Sequence, residues 1–255
     1  MSDELVRVKS EGPVTILTLA RPGRRNALSL SLIHALRSAL LAVGDARVVV
    51  LAADGPVFCS GHDLAEMAGM DEAGYRGVFA ECTRLMETIQ QIPQPVIAEV
   101  QGLATAAGCQ LVASCDLAVA SVEAGFATPG VKIGLFCTTP MVALTRAIGR
   151  KRSMEMLLTG RVVGAGEAAE WGLVNRAVEA ASLRAVTLEL AALVAAASPF
   201  TIALGKRAFY AQVELEQPAA YAAANETMTR NALAEDAREG VSAFLGKRQP
   251  EWKGR

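Results

Sequence analysis

Two stretches decide the fold of this chain: Phe58-Cys-Ser-Gly-His-Asp-Leu-Ala-Glu-Met67 and Gly102-Leu-Ala-Thr-Ala-Ala-Gly-Cys-Gln-Leu111. Each follows an apolar strand and opens a helix, with small residues where the strand and the helix cross. Backbone N–H groups at such a turn can approach a ligand closely, with the positive end of a helix behind them. Two such turns facing each other can hold a carbonyl oxygen that becomes negative during a reaction. The sequence therefore predicts an oxyanion hole made by two strand-to-helix turns.

The overall composition is that of a globular protein with no obvious charged partner. The chain has 255 residues and a net charge of −1, which gives no reason to expect nucleic-acid or membrane binding. Its five cysteines are scattered inside apolar runs, which is typical of a reducing compartment. With only two histidines and no Cys/His cluster, no metal site is expected. No signal peptide is visible at the N-terminus, so we expect a soluble, cytoplasmic protein.

Strand, turn and helix recur along the chain. Val48–Ala52 and Val96–Val100 are continuous apolar strands of the kind found inside a parallel sheet, and each leads into one of the two turns. The recurrence predicts an α/β fold whose loops gather on one side. After Ser198-Pro199 the pattern is helical almost to the end. We therefore predict a core over residues 1–197 and a helical region over residues 198–255.

Several landmarks run in order along the whole chain. They are Arg21-Pro22 with Asn26-Ala27-Leu28, the Phe58–Met67 turn, Gly102–Cys115 followed by Asp116, Thr159-Gly160, Ala165–Gly172-Leu173-Val174, and Glu239-Gly240 through Ala243-Phe244 to Lys247-Arg248. With them the chain resembles the crotonase, or enoyl-CoA hydratase/isomerase, superfamily, and in motif most resembles the enoyl-CoA hydratase domain-containing proteins. The resemblance implies a crotonase-like spiral of ββα units with a C-terminal helical layer that serves as a trimerisation or lid region. It also implies a homotrimer or a dimer of trimers and an acyl-CoA thioester as the ligand.

The resemblance also implies the roles of individual residues. In the family, amides at the positions of His62 and Ala107 bind the thioester oxygen. Other positions of the family lie along the path of coenzyme A; in this chain they are Arg24, Arg25, Ala27, Asp63, Leu64 and Ala65. A C-terminal lysine of the family approaches the nucleotide end of coenzyme A, and the matching residue here is Lys247. Asp63 is also expected to brace its own turn. No cofactor is expected other than the coenzyme A of the substrate.

The sequence departs from the family at the two glutamates with which hydratases position water and move its proton. Gln110 stands at the first of these positions and Gly130 at the second. An amide can hold a water but cannot accept its proton at neutral pH, and glycine offers no side chain. We therefore expect Gln110 to orient a water or substrate and ordinary hydration to be weak. Glutamates at residues 110 and 130 are the direct test of this expectation.

Other reactions fit a site without a base. The Ser60-Gly61-His62-Asp63 turn is similar to that of the family's acyl-CoA decarboxylases, although their tyrosine near position 137 is absent. A thioesterase and a non-catalytic acyl-CoA-binding protein are further alternatives. The His62 ring can act as an acid, a base or a hydrogen-bond donor, or it can point into solvent or cap a local turn. Cys137 is interpreted as a buried inert thiol, because no basic neighbour is evident.

Overall fold

The computed structural model describes residues 4–255. Its strands are β1 (Val6–Glu11), β2 (Val14–Leu19), β3 (Val48–Ala53), β4 (Val57–Cys59), β5 (Val96–Val100), β6 (Leu103–Thr105), β7 (Leu117–Ser121), β8 (Gly125–Ala127), β9 (Val163–Gly164) and β10 (Arg176–Val178). Its α-helices are α1 (Leu30–Leu41), α2 (Leu64–Met67), α3 (Glu72–Gln91), α4 (Ala107–Ser114), α5 (Thr138–Ile148), α6 (Arg150–Thr159), α7 (Ala165–Trp171), α8 (Leu183–Ala195), α9 (Pro199–Gln212), α10 (Gln217–Ala232) and α11 (Glu235–Leu245).

Each repeated unit gives one strand to each of two sheets. The six-stranded sheet has the order β1-β2-β3-β5-β7-β10, and the four-stranded sheet has the order β4-β6-β8-β9. Pairing is parallel except between β1 and β2 and between β8 and β9. The successive pairs β3/β4, β5/β6 and β7/β8 each give one strand to each sheet before the chain enters a helix. This arrangement is the expected spiral of ββα units.

The large sheet is buried on both faces, as its continuous apolar strands predict. Val48 and Val50 face the cluster that contains α8, whereas the alternate residues Val49 and Leu51 face the main core with α1 and α3. Both faces of the large sheet are thus covered by helices. The two site turns do not leave β3 and β5 directly, as expected, but follow the next strands, β4 and β6. These strands pair in parallel in the four-stranded sheet, so the turns at their carboxyl ends lie side by side.

Helix boundaries follow their capping residues. Ser29 rather than Ser31 caps α1, because its hydroxyl accepts a hydrogen bond from the amide of Leu32 at 3.2 Å. Helix α3 begins at Glu72 because Asp71 caps it. Residues 126–140 contain the end of β8, a 3₁₀ turn and the first turn of α5, where Pro140 is tolerated.

The C-terminal helices are tied to the core by polar contacts. Lys206 on α9 pairs with Asp116 at 2.7 Å, and the hydroxyl of Tyr210 donates to the same carboxylate at 2.9 Å. Ser198 caps α9, so the helical region begins where the sequence pattern changes. The division at residue 198 into two functional parts stays a prediction.

Among residues 4–255 no single helix is long and apolar enough to span a membrane; one bent pair, residues 180–195 with 199–212, meets the length and composition criteria together.

Candidate active site at two strand-to-helix turns

The two turns meet at Gly61 and Ala107. A Cβ atom added to Gly61 would lie 3.1 Å from the carbonyl oxygen of Thr105 and 3.4 Å from the amide nitrogen of Ala107. Gly61 also has φ +89°, a conformation that favours glycine. A short parallel bridge holds this turn from its other side: the amide of Leu28 donates to the carbonyl of Gly61 at 2.8 Å. The first turn is therefore fixed directly beside the start of α4.

Backbone strain shapes the second turn. Ala106 has φ +50° and ψ −118°, which non-glycine residues rarely adopt and which typically costs about 1–3 kcal/mol. Its amide donates to the carbonyl of Ala127 at 2.9 Å, and its carbonyl accepts from the amide of Gln110 at 3.0 Å. Gly108 follows because a side chain there would meet the carbonyl oxygen of Cys59 at 2.1 Å. Close packing on strand β4 thus fixes the start of α4.

The main-chain hydrogen bonds among residues 4–255 do not use the amides of His62 or Ala107. Ala107 is the first residue of α4, where an amide has no partner within the helix. Both donors stay free for a ligand, and the helix adds a partial positive charge behind the second.

The ring of His62 is packed rather than solvated. It meets the ring of Phe79 edge-on, with centroids 5.6 Å apart, and its Nε2 is buried with no hydrogen-bond partner in the described part of the chain. Burial lowers the pKa of His62, so the ring is neutral at pH 7. The ring does not cap a local turn, because it forms no hydrogen bond within residues 4–255; Phe79 on α3 packs against it, and the residue as a whole is half-buried.

Gln110 is buried on the first turn of α4, and its Oε1 has no partner among residues 4–255. Gln110 lies three residues after Ala107, so the two residues are neighbours on one face of α4. The two carboxylates of the first turn, Asp63 and Glu66, have other partners within residues 4–255. Asp63 caps α2 through the amide of Ala65, and Glu66 accepts a hydrogen bond from the amide of Leu30 at 3.1 Å.

Gly130 has no room for a side chain. A Cβ atom there would lie 2.6 Å from the carbonyl oxygen of Leu135 and 2.8 Å from Sγ of Cys137. The thiol of Cys137 is buried, its pKa is raised by that burial, and it fills the space that a residue at position 130 would need. The expectation that a glutamate at 130 tests the missing base is therefore corrected: it would first displace backbone.

Several residues expected along the coenzyme A path cluster around the first turn. Arg24 donates to the carboxylate of Asp63 at 3.3 Å, and the carbonyl of Arg25 accepts from the amide of Ser60 at 3.1 Å. Ala27 is buried next to them, while Leu64 and Ala65 are exposed at the start of α2. Lys247 is not part of this cluster: it follows α11, and its exposed side chain forms no hydrogen bond or ion pair within residues 4–255.

Sequence reasoning missed three supporting residues. Asn26 is fully buried, and its side-chain amide donates to the carbonyls of Asp54 and Val57, which ties the arginine turn to β4. Arg21 bonds the hydroxyl of Ser29 at 2.7 Å and lies 3.8 Å from Asp63. Thr128 is buried, and its hydroxyl has no hydrogen-bond partner within residues 4–255. Asn26 and Arg21 belong to a landmark motif that could have signalled their role, whereas nothing in the pattern singles out Thr128.

Comparison with known proteins identifies the family. The family model for enoyl-CoA hydratase/isomerase matches residues 9–255. The chain belongs to the enoyl-CoA hydratase/isomerase family. Its relatives include enoyl-CoA hydratase domain-containing protein 3, mitochondrial, of Homo sapiens, which is 46% identical over 92% of this chain and 79% of that protein. The mouse protein of the same name is 44% identical over 97% of this chain and 84% of its own length.

Solved structures confirm the crotonase fold. The enoyl-CoA hydratase of Mycobacterium smegmatis has a TM-score of 0.95 at 47% identity and covers 97% of this chain and 98% of that one. The human enoyl-CoA hydratase domain-containing protein 3 has a TM-score of 0.94 at 44% identity and covers 97% of this chain and all of that one.

The comparison contradicts the expected cytoplasmic location. The relatives from mouse, rat, zebrafish and human that share 44–46% identity are all named mitochondrial. The absence of a visible signal peptide was therefore a poor guide to location.

Proposed function

We propose that this family member acts on an acyl-CoA thioester and holds the thioester oxygen with the amides of His62 and Ala107. The observation that carries the proposal is the close approach of Gly61 to the start of α4, where a Cβ added to Gly61 would lie 3.4 Å from the amide nitrogen of Ala107. Relatives support the substrate class: one at 33% identity is the 2,3-dehydroadipyl-CoA hydratase of Escherichia coli. Loss of one preorganised donor of this kind costs about 3 kcal/mol of barrier.

The two glutamates with which a hydratase transfers protons are replaced in this chain by neutral residues. Gln110 occupies one glutamate position, and Cys137 fills the space at the other, beside Gly130. A well-placed acid–base group contributes about 10²- to 10⁴-fold. We therefore propose that Gln110 orients a water or the substrate, that an enolate or oxyanion is stabilised by the amides, and that ordinary hydration is slow.

Coenzyme A is proposed to lie along the arginine turn. Arg24 and the amide of Ala65 both bond the carboxylate of Asp63, which ties the arginine turn to the first turn of α2. Arg24, Arg25, Leu64 and Ala65 are exposed there, and Ala27 is buried. Lys247 forms no side-chain hydrogen bond or ion pair within residues 4–255, and we propose that it contacts the nucleotide end from a neighbouring subunit of a homotrimer or a dimer of trimers.

A panel of CoA thioesters tests the proposal. Crotonyl-, malonyl- and butyryl-CoA are incubated with the full chain, and hydrated product, carbon dioxide and free thiol are measured to report hydration, decarboxylation and thioester cleavage. Calorimetry on the same thioesters measures binding. Binding without any turnover would point to a non-catalytic acyl-CoA-binding protein, and neither binding nor turnover would contradict the proposal.

The substitution Gly61→Ala tests whether turnover of a CoA thioester depends on the two strand-to-helix turns. The added methyl would press on Ala106 and the Ala107 amide, and φ is unfavourable, so we expect at least a tenfold loss of turnover and a loss of about 1 kcal/mol of stability. The control is Gly77→Ala on the exposed side of α3, where a Cβ meets nothing within 4 Å. It should keep turnover and gain about 0.5–1 kcal/mol. Equal turnover in both variants would contradict the assignment of the site.

A further inference from the structure

A lysine near the C-terminus is held in a conformation that usually belongs to glycine. Lys247 follows the C-cap residue of α11 and has φ +52°, the left-handed conformation in which glycine commonly ends a helix. Its amide donates to the carbonyl of Phe244 at 3.2 Å, and the amide of Arg248 donates to the carbonyl of Ala243 at 3.0 Å. The exposed side chain of Lys247 bonds nothing within residues 4–255. A lysine held in this strained conformation, with its ammonium group free, points to a partner outside the chain.

The segment of residues 248–255, which we call the strap, runs back along one face of α11. Two acidic residues one helical turn apart on that face, Asp236 and Glu239, hold the main chain of the strap. The carboxylate of Asp236 accepts hydrogen bonds from the amides of Lys253 at 2.6 Å and of Gly254 at 3.0 Å. The strap is therefore bound to α11 at its far end as well as at the turn that contains the lysine.

Glu239 makes the contact nearest to that turn. Both oxygens of its carboxylate accept from the guanidinium of Arg248, at 2.6 and 2.8 Å, and one of them also accepts from the amide of Glu251 at 2.8 Å. These bonds lower the pKa of Glu239 to about 2, so the carboxylate is charged at pH 7. Because Arg248 directly follows Lys247, the ion pair fixes one side of the left-handed residue, while α11 fixes the other.

We propose that Glu239 is a positioning residue for coenzyme A, because its ion pair with Arg248 holds the turn that presents Lys247 to the nucleotide end. This inference rests on the proposed function, in which that lysine contacts coenzyme A in a neighbouring subunit. A lysine on a mobile turn loses backbone and side-chain freedom when it binds a phosphate, whereas on a fixed turn the backbone part is already lost. Glu239 therefore raises the affinity for coenzyme A without touching it.

Calorimetry of the full chain with butyryl-CoA tests this role through two substitutions and their combination. Lys247→Gly removes the ammonium group and suits the left-handed conformation, so the dissociation constant should rise about tenfold while the fold is kept. Glu239→Gln removes the charge that holds Arg248, and the dissociation constant should rise at least about threefold. Adding Glu239→Gln to Lys247→Gly should change the dissociation constant by less than about 1.5-fold, because the positioned group is already gone.

Two further variants separate positioning from a general loss of structure. Arg248→Lys keeps the charge but not the two parallel bonds to Glu239. It should weaken binding as Glu239→Gln does, and it covers the case in which that variant does not fold. The control is Glu214→Gln, which breaks another ion pair made through two bonds, with Arg146 at 2.7 and 3.3 Å. It should leave the dissociation constant of butyryl-CoA unchanged.

The outcomes separate this inference from the proposed function. If Glu239→Gln binds butyryl-CoA as tightly as the wild type, the positioning role is contradicted while thioester binding stands. Losses that multiply in the double variant also contradict it, because Glu239 would then act without Lys247. If Lys247→Gly binds as tightly as the wild type, the inference fails together with the proposed contact of that lysine. If the wild type itself does not bind, the proposed function is contradicted as well.

Discussion

His62 makes the stability of the protein sensitive to mild acid. Burial of its ring lowers the pKa of His62, whereas an unfolded histidine binds a proton near pH 6.5. The folded chain therefore binds fewer protons than the unfolded chain below about pH 6.5, and the free energy of unfolding falls as the pH drops through that range. Above about pH 7 the His62 ring is neutral in both the folded and the unfolded chain, so it adds no pH dependence to the free energy of unfolding.

The measurement is urea unfolding of the wild type and of His62→Gln at about pH 7.5 and about pH 5.5. We expect the wild type to lose more stability on acidification than the variant does, because the glutamine does not titrate. His34 is present in both proteins and cancels from the difference. Equal losses in the two proteins would show that the ring is not buried in solution.

At the scale of elements, the anchor of α9 on the core depends on one buried cation. The side chain of Lys206 is 6% exposed; it pairs with Asp116 at 2.7 Å and donates to the carbonyls of Ile89 and Gln94 at 2.7 and 2.8 Å. These bonds join α9 to the end of α3 and to the segment before β5. Burial lowers the pKa of Lys206, and the Asp116 carboxylate opposes that change.

Lys206→Met tests this anchor. It leaves the carboxylate of Asp116 without its cation, so we expect a loss of about 3–5 kcal/mol in the free energy of unfolding. The control, Lys151→Met, changes an exposed lysine on α6 and should stay within about 0.5 kcal/mol. A loss below about 1 kcal/mol for Lys206→Met would mean that α9 is held by its apolar contacts alone.

At the scale of the whole molecule, the C-terminal helices leave large apolar side chains uncovered. Phe244 is 82% exposed, Leu245 75% and Met228 65%, and neither α9 nor α10 has a fully buried residue. Large apolar surfaces of this kind mark interfaces. We predict a homotrimer or a dimer of trimers, measured as three or six chain masses by light scattering. Phe244→Asp should lower the mass, and a wild-type monomer would contradict the prediction.

The local pattern predicted the parts of the fold that depend on neighbouring residues. The apolar runs of β3 and β5 were correctly identified, because a strand buried on both faces needs no polar residue. The capping residues Ser29 and Asp71 set the starts of α1 and α3. The small residues of the second turn were interpreted as room for a ligand, and the structure shows that Gly108 also lets α4 pack closely on β4.

Contacts between distant residues could not be predicted in the same way. Gly130 has no space for a side chain because Leu135 and Cys137 fold back onto it, and no local pattern reveals that approach. Likewise the His62 ring is covered by Phe79 from α3, and the unpartnered state of Thr128 depends on what surrounds it in three dimensions. The missing glutamates were visible in the sequence, but the reason why only one of them can be restored was not.

The central claim is that the oxyanion-binding amides are kept while the proton-transfer carboxylates are gone. The rate at which Gln110→Glu hydrates crotonyl-CoA tests this claim most directly. The substitution changes an amide into a carboxylate of nearly the same size, whereas Gly130→Glu would press on backbone and should give no gain. Because one acid–base group contributes about 10²- to 10⁴-fold, we predict that Gln110→Glu hydrates crotonyl-CoA at least tenfold faster than the wild type. A wild type that already hydrates as fast as Gln110→Glu would contradict the account.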